Sequence, residues 1–132
     1  MSAYFEKLQA LQKNAYAPYS KFQVASILVL ENGTEVAGVN VENASFGGTI
    51  CAERSAFVSA VSQHGDQRDY KEIHLLAGSA TYFAMPCGLC RQFMHELVKG
   101  DFAIYSYLAT GERRRITMAE LLPHAFSGDD IR

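Results

Sequence analysis

The stretch TICAERSAFVSAV, residues 49–61, places a cysteine and a glutamate at the start of an apolar run. The run predicts a helix from about Cys51 to Gln63, with Thr49 as its cap. Glu53 then shares the first helical turn with Cys51. Two interpretations of this turn are open: Cys51 holds a group on which Glu53 acts, or it is a buried thiol beside a solvated carboxylate.

A second helix start, MPCGLCRQF at residues 85–93, carries two more cysteines. Pro86 suits the first turn of a helix that reaches about Val98, so Cys87 and Cys90 face the same opening. Unpaired backbone N–H groups and the positive end of the helix dipole favour thiolates there. If both helices lie on one face of a sheet, the three thiolates converge on one ion, and zinc suits this ligand set.

The ligand count predicts an open metal site. Three cysteines are one short of the four protein ligands that close a structural zinc site. None of the histidines is well placed to join them; these are His64, His74, His95 and His124. Water is therefore the better fourth ligand, and Glu53 beside it can take up a proton and later deliver it to a leaving group. Because zinc with three thiolates carries a net negative charge, we expect Arg54 to donate to a ligand sulfur and Arg91 to offset part of the charge.

The rest of the pattern predicts a mixed sheet flanked by helices in one domain, residues 1–132. Asn32-Gly33 is a two-residue hairpin signal between two apolar runs. Besides the two helices above, the predicted elements are a helix over 2–14, strands over 22–30, 35–41, 71–77 and 101–108, a short strand over 115–117 and a helical turn over 117–122.

Composition narrows the class of protein. A formal charge of −2 offers no general attraction for nucleic acid or anionic lipid. The opening MSAYFEKLQALQKNA does not have the pattern of a secretory signal, and no run approaches the roughly 20 apolar residues of a membrane span, so we expect a cytoplasmic protein. An odd set of three cysteines in a reducing compartment favours metal binding or redox chemistry over disulfides.

Five segments together resemble one enzyme family. They are AYAPYSKFQV at 15–24, GVNVENASFG at 38–47, CAER at 51–54, PCGLCRQ at 86–92 and ELLPHAF at 120–126. The set is similar to the small homotetrameric zinc-dependent cytidine deaminases of pyrimidine salvage, and the similarity runs nearly end to end. It implies a three-layer α/β/α fold with a mixed five-stranded sheet, a homotetramer with active sites shared between subunits, and hydrolysis of cytidine and 2′-deoxycytidine to uridine and 2′-deoxyuridine plus ammonia.

The resemblance also implies catalytic roles. One zinc ion per chain is held by Cys51, Cys87 and Cys90. A hydroxide on that zinc attacks C4 of cytosine, and Glu53 shuttles the proton between water and leaving group.

Five further positions match residues of the family that contact the nucleoside. Asn40 and Glu42 match the residues that bind the ribose hydroxyls, and the backbone of Ala52 matches the group that reads the pyrimidine edge. Phe22 matches a ring that lines the base pocket, and Phe126 one that reaches the base from a neighbouring subunit.

Three departures from the family pattern concern substrate range more than chemistry. Where the family usually reads F-x-V-G-A-A, this chain reads FQVASI at 22–27, so Ala25 replaces the glycine and Ser26 the first alanine. Phe46 stands where tyrosine is common. The stretch SATYFAM, residues 79–85, replaces the usual proline- and serine-containing loop.

Other functions remain open from the residues alone. A redox pair of Cys87 and Cys90 does not explain Cys51, Glu53 or the NVENAS loop. Two alternatives are a non-catalytic zinc-stabilised module, in which Glu53 is only an anion at the helix start, and a deaminase of a modified or antibiotic cytosine nucleoside. The NVEN segment, which matches ribose-binding residues, favours a free nucleoside over the antibiotic. The acidic balance, with no interleaving of aromatic and basic residues, argues against a single-stranded nucleic acid substrate.

Overall fold

The computed structural model of the protein describes residues 3–66 and 69–131; Ser2, the first residue of the first predicted helix, lies outside them. Within the described residues, four α-helices and five strands make up the fold. In chain order they are α1 Ala3–Gln12, β1 Ala25–Leu30, β2 Glu35–Val39, α2 Ala52–His64, β3 Tyr70–Leu76, α3 Gly88–Leu97, β4 Ala103–Tyr107, β5 Arg113–Thr117 and α4 Met118–Leu121.

The strands form one mixed sheet in the order β2-β1-β3-β4-β5. β3 and β4 are parallel, and the other neighbouring pairs are antiparallel. A parallel pair needs a long crossover, which α3 supplies. The mixed five-stranded sheet implied by the resemblance is therefore confirmed.

Helices cover both faces of the sheet. β1 is buried along its whole length, as expected of a strand whose residues face a core on either side. On one face α1 packs against the sheet through Phe5, Leu8, Ile27, Leu76 and Tyr107. On the other face the core joins α2 and α3 to the sheet through Leu28, Phe57, Ile73, Met94 and Ile104. This is the three-layer α/β/α arrangement.

β1 begins at Ala25, three residues later than the sequence predicts, because a side chain holds the preceding segment. Asn40 Oδ1 accepts from the Val24 N–H at 2.9 Å, and Asn40 Nδ2 donates to the Phe22 carbonyl at 2.7 Å. The hairpin turn also differs from the predicted two residues. Leu30 N–H donates to the Thr34 carbonyl at 2.9 Å, so the connection comprises residues 31–33.

Cysteines cap both helices that the sequence singled out. Cys51, not Thr49, is the cap of α2, and the Thr49 hydroxyl instead accepts from the Asn43 N–H at 3.2 Å. Cys87 caps α3, so Pro86 precedes the helix and does not lie in its first turn. Neither cysteine makes a side-chain capping hydrogen bond. Both thiols are therefore available for another partner.

The hairpin of β1 and β2 fits closely against the first turn of α2. Ser26 Oγ donates to the Ala52 carbonyl at 2.8 Å. Gly38, the cross-strand partner of Ser26, leaves no room for a side chain: a Cβ there would lie 2.4 Å from the Ala52 oxygen and 2.5 Å from the Ala56 nitrogen. The two strand residues thus fix the position of the helix start.

We expect Gly38→Ala to destabilise the protein by about 3 kcal/mol, since the two nearest atoms that the new methyl group meets are backbone and cannot rotate away. The free energy of unfolding in urea measures this. Gly47→Ala is the matched control, because a Cβ at Gly47 has no neighbour within 4 Å. Equal stability of the two variants would contradict the close fit.

Within residues 3–66 and 69–131, no helix has the length and apolar composition needed to cross a membrane.

Candidate active site

The three cysteines meet between the starts of α2 and α3. Their sulfur atoms all lie within 4.8 Å of one another, and the Sγ atoms of Cys51 and Cys87 are 3.8 Å apart. Cys51 and Cys87 are the two helix caps, and Cys90 lies buried in the first turn of α3. The convergence expected from the sequence is confirmed.

The cluster fits zinc. With Zn–S bonds of about 2.3 Å and tetrahedral angles, two ligand sulfurs lie about 3.8 Å apart, which is the separation of Cys51 and Cys87. Among the described residues, no fourth cysteine, histidine or carboxylate joins the group. His74 is buried and binds the Tyr107 hydroxyl at 2.9 Å. Three soft ligands with no fourth protein ligand are typical of a zinc site that keeps a position open.

Electrostatics at the cluster favour a thiolate on Cys51. The hydrogen bond from Cys90 lowers the pKa of Cys51 to about 5, and Arg54 acts in the same direction. The same hydrogen bond, together with burial, raises the pKa of Cys90. Arg54 Nη2 lies 3.8 Å from the Cys51 sulfur and donates to the Thr49 carbonyl at 3.1 Å.

Arg91 donates to backbone carbonyls, and its part in offsetting the charge of the cluster stays a prediction. Its Nε donates to the Pro86 carbonyl at 2.7 Å and its Nη1 to the Leu121 carbonyl at 3.0 Å. Arg91 therefore links the start of α3 to the end of α4, and of the two arginines only Arg54 contacts a cysteine of the cluster.

We expect Arg54→Gln to lower zinc affinity or turnover by about 10- to 100-fold, the usual effect of removing a group that holds a metal ligand. Zinc retention during dialysis against a chelator, and the rate per zinc-loaded chain, measure the two effects. Arg114→Gln is the control, since Arg114 is exposed on β5. If Arg54→Gln retains zinc and turns over at the unchanged rate, Arg54 supports neither metal binding nor catalysis.

Glu53 is not a solvated acid. It is only 5% exposed, and this burial, which disfavours the carboxylate, raises its pKa to about 7. The negative charge of Cys51 acts in the same direction. A carboxyl group with a pKa near neutrality both accepts and donates a proton readily at physiological pH.

A cavity of about 280 Å³ is lined by Glu53, Cys51 and Cys87. Four of the five predicted substrate residues line it; these are Phe22, Asn40, Glu42 and Ala52. Phe22 is 50% exposed, so it is not a core residue. Phe126 does not line the cavity of its own chain: it is 56% exposed, and its carbonyl accepts from Gln92 Nε2 at 2.9 Å.

Asn40 and Glu42 hold the backbone that surrounds the cavity. Asn40 binds the segment before β1, as described above. Glu42 accepts from the N–H groups of Tyr19 at 3.0 Å and Ser20 at 3.1 Å, and from the Ser20 hydroxyl. The hydrogen bonds from Ser20 lower the pKa of Glu42, so it is a carboxylate at neutral pH. Each side chain keeps further capacity, since an amide has two N–H groups and a carboxylate about four acceptor sites.

Sequence reasoning missed several residues that shape the cavity. Ser20, Leu75, Ala77 and Met85 line it. Ser20 lies in the segment 15–24 that carries the resemblance, but its bond to Glu42 joins loops more than twenty residues apart. The one sequence signal for this part of the cavity lining is the stretch SATYFAM, which departs from the family pattern and contains Met85.

Comparison with known proteins agrees with this geometry. Residues 1–106 match the family described as cytidine and deoxycytidylate deaminase zinc-binding region. The chain is 42% identical over 126 residues to a cytidine deaminase of Halalkalibacterium halodurans, covering 96% of this chain and 92% of that protein. It is 41% identical over 130 residues to one from Sporosarcina psychrophila, covering 96% and 93%.

Solved structures show the same fold. The crystal structure of cytidine deaminase from Burkholderia pseudomallei superposes with a TM-score of 0.88 at 37% identity, over 96% of this chain and all of that one. The enzyme from Mycobacterium leprae gives a TM-score of 0.72 at 33% identity, over 93% and 100%. The family match spans most of the sequence and includes the two cysteine-capped helix starts. The chain therefore belongs to the zinc-binding cytidine and deoxycytidylate deaminase family.

Proposed function

We propose that the protein hydrolyses cytidine and 2′-deoxycytidine to uridine and 2′-deoxyuridine, with release of ammonia. One observation carries the proposal: the buried Glu53 and two cysteines of the cluster, Cys51 and Cys87, line one cavity with Asn40 and Glu42. The residues suited to proton transfer and metal binding thus lie beside side chains that can form hydrogen bonds with a sugar. The relatives named above are cytidine deaminases, which supports the same reaction.

In this reaction Cys51, Cys87 and Cys90 hold the zinc ion. Zinc, when bound, acts as a Lewis acid that makes water a nucleophile near neutral pH. Glu53 takes the proton that the attacking water loses and delivers it to the amino nitrogen on C4. The C4–N bond then breaks and ammonia leaves. A pKa of about 7 suits both directions of this transfer.

The remaining cavity residues orient the nucleoside. Asn40 and Glu42 supply hydrogen-bonding groups for the ribose hydroxyls, the backbone of Ala52 reads the pyrimidine edge, and Phe22 offers a ring to the base. Ser26 and Gly38, on the β1–β2 hairpin, fix the position of Ala52 in the first turn of α2. The lining formed by the described residues contains no lysine or arginine, which favours a free nucleoside over a phosphorylated one.

The test is uridine and ammonia formation from cytidine by the zinc-loaded protein, beside 2′-deoxycytidine, cytidine 5′-monophosphate and a cytosine-containing single-stranded oligonucleotide. We expect turnover of both nucleosides and little or none of the phosphorylated substrates. Turnover of the oligonucleotide alone would overturn the proposal, and zinc-loaded protein inert towards every substrate would support a zinc-stabilised module. The cytoplasmic location stays a prediction.

We further propose a homotetramer in which Phe126 completes a neighbour's cavity. Exposed apolar residues on the outer sides of α2 and α3 support an assembly, since a lone chain leaves them in water: Val58 is 45% and Leu89 69% exposed. Phe126 is likewise exposed, and it is not among the residues that line the cavity of its own chain.

Subunit mixing tests the shared site. We expect Phe126→Ala and Glu53→Ala each to be impaired alone, and activity to return when the two variants are unfolded and refolded together. A mixed oligomer then contains cavities with Glu53 from one chain and Phe126 from another. Sedimentation shows whether the oligomer forms. If mixing restores nothing although mixed tetramers form, Phe126 does not act across the interface.

A further inference from the structure

A buried histidine lies on the face of the sheet that α1 covers. His74 belongs to β3, and its side chain is completely buried. Both ring nitrogens are hydrogen-bonded: Nδ1 lies 2.9 Å from the Tyr107 hydroxyl, and Nε2 bonds to a carboxylate oxygen of Glu72. The proposed reaction makes no use of this imidazole.

The two partners fix the tautomer of His74. A carboxylate only accepts hydrogen bonds, so Nε2 carries the proton that is donated to Glu72. In the neutral ring Nδ1 is then an acceptor, and the Tyr107 O–H donates to it. Arg113 Nη1 lies 3.5 Å from the Tyr107 oxygen, as a donor to it. Donors and acceptors thus run in one direction from Arg113 through Tyr107 and His74 to Glu72.

The same imidazole holds α1 against the sheet. The Tyr4 ring, in the first turn of α1, stacks on His74 with ring centroids 3.9 Å apart and planes 18° apart. Tyr105 of β4 also stacks on it, at 5.0 Å. From β5 the Arg113 guanidinium lies 4.5 Å from the centre of the Tyr105 ring. We call this set the His74 cluster; its members are Tyr4, Glu72, His74, Tyr105, Tyr107 and Arg113.

A second proton on His74 disturbs this arrangement. It adds an N–H group on Nδ1, which then faces the hydroxyl proton of Tyr107. It also makes a charged ring that has no contact with water. Burial lowers the pKa of His74 more than the neighbouring Glu72 carboxylate raises it, and the charge of Arg113 acts in the same direction as burial. The closed cluster therefore keeps a neutral ring at pH values where an exposed histidine takes up a proton.

Charged and titratable groups surround the ring from several elements. Among the described residues they are Tyr4 and Lys7 of α1, Glu35 of β2, Glu72 of β3, Tyr105 and Tyr107 of β4, and Arg113 of β5. The β1 residue paired with His74 is Ile27, which has no charge. Histidine is the residue type in this set whose ordinary pKa, about 6.5, lies between pH 5.5 and 7.5.

We propose that the His74 cluster is a proton-sensitive clamp, which docks α1 on the sheet at neutral pH and releases it in mild acid. Local opening of α1 removes Tyr4 from the ring, so the imidazole reaches water and takes up a proton that the closed state resists. The release extends towards the cavity. Gln12, the last residue of α1, donates through Nε2 to the Gln23 carbonyl at 2.8 Å, next to Phe22 in the cavity lining.

Hydrogen exchange of the zinc-loaded protein tests the clamp, with protection factors corrected for the intrinsic effect of pH. Between pH 7.5 and 5.5, one histidine that titrates near 6.5 when open and stays neutral when closed favours opening about tenfold. We therefore expect the amides of α1 to lose about tenfold in protection between these pH values, whereas the amides of α3 change little.

Two variants assign the effect to one histidine. His74→Phe keeps an aromatic ring against Tyr4 but cannot titrate, so it should remove the pH dependence of α1 exchange. His124→Asn is the matched control, because His124 is exposed and asparagine tolerates its left-handed backbone, with φ 54°. This variant should keep the tenfold loss.

The results that overturn the clamp are distinct from a failure of the proposed function, since exchange is measured without substrate. Protection of α1 that persists at pH 5.5 overturns it, and so does an equal loss in α1 and α3, which is global unfolding. The same pH dependence in the native protein and in His74→Phe assigns the effect to another group. Nitrogen NMR of the native protein needs no variant to fold: the neutral ring with its proton on Nε2 should persist below pH 6.5, and titration of His74 at or above that pH overturns the proposal.

Discussion

Glu53→Ala is expected to lower the turnover of cytidine by roughly 10³-fold or more while the zinc ion stays bound. General acid–base catalysis is worth about 10²- to 10⁴-fold, and Glu53 is needed twice, first as base and then as acid, so the effect should lie in the upper part of that range. Zinc retention is expected because Glu53 is not among the residues whose ligand atoms converge at the cluster. Steady-state rates and zinc content on the same preparation measure both.

Glu31→Ala is the matched control, since Glu31 is an exposed carboxylate in the β1–β2 turn. It should keep both the rate and the zinc. A Glu53→Ala protein that retains zinc and full activity would show that the cluster works without a proton shuttle at this position. A variant that loses its zinc would instead make Glu53 a group that supports the metal.

Cys90→Ala is expected to lose nearly all bound zinc, all measurable activity and much of the stability of the fold. Cys90 is fully buried, and its sulfur completes the cluster with Cys51 and Cys87. A ligand present at a thousand times its dissociation constant stabilises the folded state by about 4 kcal/mol. For a domain of this size, loss of that contribution lowers the thermal midpoint by roughly 10 °C or more. Metal analysis and a thermal scan measure the two effects.

His95→Gln serves as the control for this variant, because it tests the histidine on the same helix as Cys87 and Cys90. It should keep its zinc, since no histidine joins the cluster among the described residues. Zinc lost from His95→Gln but retained by Cys90→Ala would contradict the three-cysteine site. Chelation of the native protein should reproduce the fall in thermal midpoint seen in Cys90→Ala.

The parts of the fold that follow from short-range pattern could be predicted from the sequence. Apolar runs and turn residues place all five strands and the order of the helices, and the two cysteine motifs indicate the metal cluster. Helix caps were less predictable. Thr49 is a good cap residue by type, but its hydroxyl accepts from the Asn43 N–H, and Cys51 caps the helix instead.

Contacts between distant segments could not be predicted. The side-chain amide of Asn40 donates to the Phe22 carbonyl, although the two residues are 18 positions apart in the sequence. This bond holds the segment before β1, and the strand begins only at Ala25. Arg91 lies next to Cys90 in sequence, yet its guanidinium donates to carbonyls and not to sulfur. Ser26 was visible only as a departure from a family pattern, because its partner, the Ala52 carbonyl, becomes a neighbour once the sheet and α2 are packed together.

The cysteine caps have a consequence for the newly made chain. Cys51 and Cys87 are 36 positions apart, and β3 must take its place in the sheet between them before their sulfurs meet. A bound ion therefore fastens the beginnings of two helices at once, and its binding free energy becomes part of the free energy of folding. We expect a partly assembled chain to bind zinc weakly, so the metal content of a preparation reports how much of it is correctly assembled.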